Sequence, residues 1–174
     1  MSKLATPSPL PIVRFEPIDL GRHFELCVRF LCDTFVQSYG SSEEFEKVGG
    51  RTAYFAGLEA SLARFPDGHV HVWKDGVIVG QLEMRLRPEH DDAFVNLFYV
   101  TPNERGRGIG SALHAYLVGV LDRHHVGTAR LSVAPANVRA RRFYEKHGFR
   151  DLGPRPDRPY VHAMKLDRPS ARGA

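Results

Sequence analysis

A glycine- and arginine-rich stretch at residues 104–113, ERGRGIGSAL, constrains this chain more than any other segment. Three glycines and two arginines fall within residues 105–110, between an apolar strand-like run and an amphipathic helical pattern. The first N–H groups of a helix lack intrahelical partners, and glycine lets a ligand approach the backbone with no Cβ in the way. The stretch therefore predicts a phosphate-binding turn at the start of a helix, with a simple glycine-rich corner as the alternative.

Spacing excludes two common phosphate-binding motifs. A P-loop requires G-x-x-x-x-G-K-[ST], and no lysine follows these glycines. A dinucleotide fingerprint requires G-x-G-x-x-G, but the sixth position is Ser111 when counted from Gly106 and Leu113 when counted from Gly108. The stretch also comes late in the chain, after a predicted hairpin, whereas the dinucleotide motif opens a βαβ unit.

The hydrophobic periodicity predicts one α/β domain (α+β by some schemes) with three layers, in which helices cover both faces of a mixed sheet. A chain of 174 residues fits a single domain, which we assign to residues 12–167, with a flexible lead at 1–11 and a flexible tail at 168–174. Residues 40–50 are expected to form a loop. Strands are predicted at 12–18, 69–73, 77–87, 93–100, 130–134, 149–152 and 159–166, and helices at 20–39, 51–65, 108–124 and 137–147.

Composition argues against several classes of protein. No run of residues resembles a membrane span or a signal peptide, so we expect a cytoplasmic protein with no membrane partner. Cys27 and Cys32 lie five residues apart in a helical pattern, which disfavours a bridge, and reduced thiols with no metal are expected. The net charge of +4 suits an anionic cofactor. Because few aromatic residues separate the arginine clusters, nucleic-acid binding is the weaker alternative.

A second motif follows later in the chain, where residues 137–149 read NVRARRFYEKHGF. Arg105-x-x-Gly108-x-Gly110 resembles the R/Q-x-x-G-x-G/A motif of the GNAT superfamily of N-acetyltransferases. The later segment is similar to that family's N-x-x-A-x-x-x-Y-x-x-x-G-F signature. The resemblance is close over residues 93–150 and looser over 12–166. It implies a GNAT-like fold whose sheet splays between strands 93–100 and 130–134.

The resemblance also implies a site for acetyl-CoA. The backbone of residues 106–111 would cradle the pyrophosphate, and the main chain of residues 98–100 would pair with the pantetheine arm like an added strand. Asn137 would hydrogen-bond the pantetheine, although a helix N-cap is its simpler role, and core packing is the simpler role of Tyr144. The implied cofactor-binding residues are Phe98, Tyr99, Val100, Arg105, Gly106, Arg107, Gly108, Ile109, Gly110, Ser111, Asn137 and Tyr144.

Acetyl transfer to an amine requires a base, because an alkylammonium group is mostly protonated at pH 7, and an acid that protonates the departing CoA thiolate assists it. The resemblance places Tyr144 beside the thioester sulfur as this acid. Family members that acetylate protein N-termini or histones carry a glutamate where this chain has Ser132 or Phe94, respectively. Both departures count against those substrate classes.

Two residues remain as candidates for handling the amine proton. Alternation along residues 93–100 places Asn96 on one face with Phe94 and Phe98, where its side chain could orient a water. Glu83 on the neighbouring strand is the best remaining carboxylate, and a solvated strand glutamate is its simpler description. A base acting through ordered water, or uptake of an already neutral amine, would also suffice.

We therefore expect an N-acetyltransferase that acts on the primary amine of a small molecule, by direct attack in a ternary complex. Acetylation of a peptide or protein amine is the alternative within the class, and a catalytically silent acyl-CoA-binding module is the alternative outside it. The acidic 41–47 loop could attract a cationic amine, whereas the 153–159 run could receive an acidic group. A homodimer is left open.

Overall fold

Seven strands form one mixed sheet in the structure, a computed structural model that describes residues 10–168. The strands are β1 (Arg14–Pro17), β2 (His69–Lys74), β3 (Val77–Arg87), β4 (Asp92–Val100), β5 (Thr128–Val133), β6 (Arg150–Pro154) and β7 (His162–Asp167). Their spatial order is β1-β2-β3-β4-β5-β7-β6, and every neighbouring pair is antiparallel except β4 and β5. The predicted mixed sheet is confirmed.

The strands are joined by the helices α1 (Leu20–Tyr39), α2 (Glu43–Lys47), α3 (Gly50–Arg64), α4 (Ile109–Arg123) and α5 (Val138–Lys146). All but α2 were predicted, in this order. The short helix α2 occupies part of the segment that was predicted to be a loop, so that prediction is wrong. Acidic residues in the first turn of α2 suit the positive end of the helix, and Phe45 anchors it with 3% exposure. Within residues 10–168, no helix is long and apolar enough to cross a membrane.

Helices cover both faces of the sheet, as predicted. On one face, here called the α4 face, Leu113 of α4 is fully buried in a cluster with Leu82 of β3. On the opposite face, called the α1 face, Phe30 of α1 packs beside Leu97 of β4. Because apolar side chains of β4 face both layers, this central strand is almost continuously hydrophobic.

The sheet divides between β4 and β5. These two strands pair over three residues only, Ala93–Val95 against Ala129–Leu131, and beyond that point each stays paired with its outer neighbour. A β-bulge lies at the division, since Val95 and Leu97 face consecutive residues of β3 and leave Asn96 as an extra residue in β4. The strands therefore form a fork, as the resemblance implied.

The bulge overturns one expectation about β4. Strict alternation predicted a shared face for Phe94, Asn96 and Phe98. In the structure, however, Phe94 is opposite Arg85. Phe98 is opposite Leu82, three residues earlier in β3. Because residues three apart in a strand point to opposite faces and cross-strand partners share a face, Phe94 lies on the α1 face and Phe98 on the α4 face. The predicted shared face is wrong.

The predicted lead and tail lie outside the described residues, apart from Leu10, Pro11 and Arg168. The backbone N–H of Arg168 donates to the carbonyl of Gly127 (2.8 Å). Its guanidinium donates to the carboxylate of Asp122 (2.5 Å). Residue 168 is thus joined to the end of α4 and to the segment that follows it.

Candidate active site at the fork of the sheet

A cleft of about 410 Å³ opens where β4 and β5 separate. The glycine-rich turn before α4 and the helix α5 both border it, so the two sequence motifs meet at one place. The predicted site residues that line it are Asn96, Phe98, Tyr99, Val100, Arg105, Gly106, Gly108, Gly110, Ser111, Asn137 and Tyr144. Glu83, Arg107 and Ile109 are not among the lining residues, because Glu83 and Ile109 are buried elsewhere and Arg107 is exposed.

The glycine-rich turn presents bare backbone to the cleft. Gly106 and Gly108 have φ angles of +75° and +87°, a left-handed conformation that side chains other than glycine rarely adopt. Gly108 is the N-cap of α4, and no side chain caps the helix there. The first N–H groups of α4 are therefore free to bind an anion at the cleft.

Gly110 meets a different requirement, the close approach of two helices. A Cβ atom built on Gly110 would lie 3.0 Å from Cε2 of Phe143 on α5. One helical turn after Phe143, Nε2 of His147 lies 3.3 Å from the hydroxyl of Ser111, the residue that follows Gly110. The missing side chain thus lets α5 pack against the start of α4 and brings the two motifs together.

Arg105 fastens the glycine-rich turn to the strands and to α1. Its Nε donates to the carbonyl of Val100 (2.8 Å), and its guanidinium lies over the ring of Tyr99. Nη2 also contacts the carboxylate of Asp33 at 3.4 Å. Burial alone would raise the pKa of Asp33, but hydrogen bonds from Tyr99 and Gln37, together with Arg105, lower it, so Asp33 remains an anion. Arg105 lines the cleft mainly as a positioning residue.

Helix α5 supplies positive charge that the sequence reasoning did not assign to the site. The cationic Arg139 and Lys146 of α5 line the cleft, as does the imidazole of His147 at its C-cap, and no carboxylate within residues 10–168 does. Burial and the nearby charge of Arg105 lower the pKa of Arg139, and its guanidinium donates to Gln37 of α1 (2.7 Å). The cleft is therefore suited to an anionic ligand.

Asn137 occupies the N-cap of α5 and also lines the cleft. Its Oδ1 accepts a hydrogen bond from the backbone N–H of Ala140 (3.2 Å), which is the simpler role that the sequence offered. The NH₂ group of the same carboxamide is a separate hydrogen-bond donor. One residue can therefore fix the start of α5 and donate to a ligand in the cleft.

Aromatic rings on several sides hold Tyr144 in place. Its ring centroid lies 6.0 Å from Phe98, 5.6 Å from Phe143 and 5.4 Å from Phe149. Burial raises the pKa of Tyr144 above its ordinary value of 10.0, so the hydroxyl stays protonated at neutral pH. A protonated hydroxyl at the wall of the cleft can act as a proton donor.

The fork exposes one edge of β4 to the cleft. Residues Leu97, Phe98, Tyr99 and Val100 pair with β3 on one side, but their register with β5 has ended at Val95. Backbone groups on the open edge can therefore pair with an extended ligand in the manner of an added strand. Asn96, the exposed bulge residue, lies at the start of this edge.

Glu83 lies away from the cleft in a buried polar network on the α1 face. Its Oε1 accepts hydrogen bonds from the hydroxyl of Tyr54 (2.5 Å) and from Nε2 of Gln81 (2.6 Å). Gln81 in turn contacts His71, whose Nε2 is 3.0 Å from Oε1 of Gln81. Burial raises the pKa of Glu83, and the two hydrogen bonds oppose the rise. Glu83 is thus not the solvated glutamate that was its simpler description.

The raised pKa of Glu83 predicts a pH-dependent difference between the wild type and Glu83→Gln. A carboxyl whose pKa is raised on folding adds stability below its unfolded pKa and loses it as pH rises through the folded pKa. We expect the free energy of unfolding of the wild type to fall relative to Glu83→Gln above pH 4.5, by at most about 1.4 kcal/mol per pH unit. Urea titrations from pH 4 to 8 measure this, and exposed Glu89→Gln is the control. A difference that does not change with pH contradicts the prediction.

Several lining residues were missed for identifiable reasons. Thr34, Gln37 and Ser38 belong to the end of α1, which sequence periodicity described only as an amphipathic helix. Ser132 was considered only as a missing glutamate, although it lines the cleft on β5. Arg139, Lys146 and His147 fall within the second motif at positions that the motif leaves free. A helical spacing of three residues from Tyr144 would have found His147, whereas Arg139 is at no such spacing from Asn137 or Tyr144.

A forked mixed sheet with a glycine-headed helix at the fork defines a fold class that includes many acetyltransferases of known structure. A model of the acetyltransferase (GNAT) family matches residues 30–149 of the chain. The chain belongs to this family. No group of three or more His, Cys, Asp or Glu side chains in the described part of the chain could hold a metal ion.

Comparison with individual proteins agrees with this membership. Phosphinothricin N-acetyltransferase of Streptomyces coelicolor is 33% identical over 69 residues, a match that spans 40% of this chain and 40% of that protein. The coenzyme A complex of PaiA N-acetyltransferase from Thermoplasma acidophilum has a TM-score of 0.74 at 16% identity, over 90% of this chain and 99% of that one. Ard1 of Thermoplasma volcanium has a TM-score of 0.68 at 21% identity, over 91% and 99%. These structural likenesses establish the GNAT-like fold.

Proposed function

We propose that this chain is an N-acetyltransferase that transfers the acetyl group of acetyl-CoA to the primary amine of a small molecule. The observation that carries the proposal is the meeting of both motifs at one cleft, where a glycine-headed helix adjoins an open strand edge. A generic phosphate site explains the helix end but not the strand edge. A long ligand with a phosphate portion and an amide-containing arm uses both.

The cleft offers a separate contact for each part of acetyl-CoA. The N–H groups at residues 106–111 would hold the pyrophosphate, with positive charge nearby from Arg139 and Lys146. The open edge of β4 at residues 98–100 would pair with the pantetheine amides, and Asn137 would donate to the same arm. The thioester then lies at the fork, beside Tyr144.

The proposed reaction is a direct attack of the amine on the thioester carbonyl. A C–N bond forms, the C–S bond breaks, and the amine releases a proton to a base while the sulfur leaves as a thiolate. Backbone N–H groups at the bulge of β4 can stabilise the carbonyl oxygen as it gains charge. Tyr144 would donate its hydroxyl proton to the thiolate and regain one from solvent.

A water at the fork is the proton acceptor that the cleft supports best. Asn96 and Ser132 line the cleft on the two separated strands, and both carry groups that can bind a water. Glu83 is buried in β3 opposite Leu97 and does not line the cleft. It remains the candidate carboxylate only if hydrogen-bonded groups carry the amine proton to it from the cleft. Attack by an already neutral amine needs no base at all.

A small-molecule acceptor has one specific observation in its favour. The phosphinothricin N-acetyltransferase of Streptomyces coelicolor is the relative with 33% identity, and its name states a small-molecule substrate. Departures at Ser132 and Phe94 count against acceptors of the peptide and histone type. We therefore propose a small amine first and include phosphinothricin among the acceptors to be tested. Both cysteines are free, which suits a reducing compartment such as the cytoplasm.

Coenzyme A should stabilise the folded chain. At a concentration of about 100 times its Kd, a ligand that binds only the folded state adds roughly 2.7 kcal/mol, which corresponds to a Tm increase of about 5–10 °C for a protein of this size. A thermal melt with and without millimolar CoA measures this increase. AMP at the same concentration is the control, because it lacks the pantetheine arm. No increase with CoA contradicts the proposed cofactor.

Turnover separates an enzyme from a silent CoA-binding module. The purified protein is incubated with acetyl-CoA and a panel of primary amines that includes phosphinothricin, an acetylatable peptide N-terminus and a lysine peptide. Release of free thiol with a small amine, and formation of the acetylated product by mass spectrometry, are the expected results. CoA binding without thiol release from any amine favours the silent module.

A further inference from the structure

A row of mostly basic side chains crosses the α1 face of the sheet, which is the face opposite α4. Register places one residue from each of five adjacent strands directly opposite the next. In order from β3 to β6 they are Arg85, Phe94, Arg130, Lys165 and Arg150. Four of the five are cations, and cross-strand neighbours of like charge repel one another unless anions compensate them.

Phe94 is the centre of the most concentrated part of this row. The guanidinium carbons of Arg85, Arg87 and Arg155 lie 5.2, 5.1 and 5.9 Å from the centroid of its ring. Arg85, Arg87, Arg130 and Arg155 are called the arginine cluster below. A ring attracts guanidinium groups through its negative face, which explains how several of them can gather at one place.

Two carboxylates compensate part of the charge of the arginine cluster. Buried Asp92 accepts two hydrogen bonds from Arg87 (2.7 Å each) and one from Arg130 (2.9 Å). Asp157 accepts two from Arg155 (2.8 and 2.6 Å). Arg85 is exposed, and within residues 10–168 no carboxylate lies within ion-pair distance of it. The arginine cluster therefore keeps a net positive charge, and Arg85 can bind an incoming anion.

The arginine cluster adjoins the reacting end of the cleft. Nη1 of Arg155 donates to the hydroxyl of Ser132 (2.8 Å), and Ser132 lines the cleft on β5. On the other strand, Phe94 is two residues from Asn96, which lines the cleft on β4. Both sides of the fork are thus connected to the cluster through adjacent residues, on the face opposite α4.

We propose that the arginine cluster binds an anionic group, such as a carboxylate or phosphonate, on the acceptor amine, and so selects acidic amines as substrates. The proposal rests on the proposed function, because it assigns the acceptor to the face of the fork opposite the glycine-headed helix. Arginine is the side chain best suited to this task, since its planar guanidinium binds the paired oxygens of such groups with two parallel hydrogen bonds.

A small anion fits the arginine cluster better than a nucleic acid does. Binding to single strands relies on exposed aromatic faces on which bases stack. Phe94 is half-buried beneath guanidinium groups, so its face is occupied. The carboxylates of Asp92 and Asp157 would also repel a backbone of phosphates, whereas a single anionic group can contact Arg85 alone.

The test compares amines in which a neutral carboxamide replaces the carboxylate: β-alanine with β-alaninamide, and L-methionine with L-methioninamide. We expect kcat/KM for the carboxylate to exceed that for the carboxamide by about tenfold or more in at least one pair. Arg85→Gln should lower this ratio by about tenfold, since a charge-assisted hydrogen bond is lost. Arg64→Gln, at an exposed arginine at the end of α3, is the matched control and should keep the ratio.

A binding measurement tests the proposal without requiring turnover. Methylphosphonate is titrated calorimetrically into the protein saturated with CoA, so that the phosphate sites of the cofactor are filled. Binding that weakens about tenfold in Arg85→Gln but not in Arg64→Gln supports the proposal. Equal kcat/KM for both members of each pair, or a ratio unaffected by Arg85→Gln, overturns it while leaving the acetyltransferase function intact. Thiol release from no amine contradicts the function itself, and the titration still decides whether the arginine cluster binds anions.

Discussion

Gly108→Val should weaken the binding of coenzyme A by about 10- to 100-fold, because it distorts the turn that positions the charge-assisted N–H contacts at the head of α4. Gly108 has a φ of +87° and is the residue from which α4 begins. A Cβ atom at this position would lie 3.0 Å from Cδ of Pro11, so a valine would push the turn and its free N–H groups out of their present positions. It would also strain the backbone, since a β-branched side chain rarely adopts a left-handed conformation.

Strain alone must be separated from the loss of the anion site. Gly76 has a φ of +79° in the turn between β2 and β3 and does not line the cleft, so Gly76→Val carries a comparable backbone strain far from the cofactor. We expect both variants to lose a few degrees of Tm. Only Gly108→Val should lose affinity for CoA, as measured by calorimetric titration. Equal CoA affinity in the two variants would remove Gly108 from the site.

The sequence predicted the elements and their order because each carries its own periodicity and its own stop signals. Bounds agree within a few residues: the predicted helix 20–39 is α1, and the predicted strand 77–87 is β3. The missed α-helix α2 is five residues long and is held by the burial of Phe45. A segment that short has no periodicity to detect, and its stability comes from tertiary contact.

Positions that depend on register could not be predicted from one strand alone. The bulge at Asn96 is a property of the pairing between β3 and β4, and it reverses the faces of every later residue in β4. The arginine cluster follows from the same register, because Arg85, Phe94 and Arg130 come from three strands that are adjacent only in the folded sheet. Nothing in the local sequence indicates that these residues meet.

The positions of the candidate residues were predicted better where a motif specifies the backbone than where a side chain was chosen by itself. A glycine turn before a helix binds anions through N–H groups whose positions follow from the helix itself, and both motifs do line one cleft. Glu83, by contrast, was chosen as the best remaining carboxylate on the neighbouring strand. Its burial depends on Tyr54, which α3 brings across the α1 face from 29 residues away.

Tyr144→Phe should lower kcat for acetyl transfer by roughly 10- to 100-fold and leave the affinity for CoA within about twofold. The ring is held by Phe98, Phe143 and Phe149, so a phenylalanine keeps its position and packing. Only the hydroxyl is lost, and with it the proton that the departing thiolate would receive. The expected loss is moderate for an acid catalyst, because a thiolate leaves more readily than an alkoxide or an amide ion.

Tyr116→Phe is the matched control for this experiment. The hydroxyl of Tyr116 donates to the carbonyl of Asp67 (2.9 Å), and the residue does not line the cleft. This variant should lose about 1 kcal/mol of stability through the lost hydrogen bond and keep its kcat. Initial rates at saturating acetyl-CoA and calorimetric CoA titrations give kcat and CoA affinity for each variant.

If Tyr144→Phe loses CoA affinity in proportion to rate, the hydroxyl serves to bind the cofactor. If its rate equals that of the wild type, Tyr144 is a packing residue and solvent protonates the thiolate.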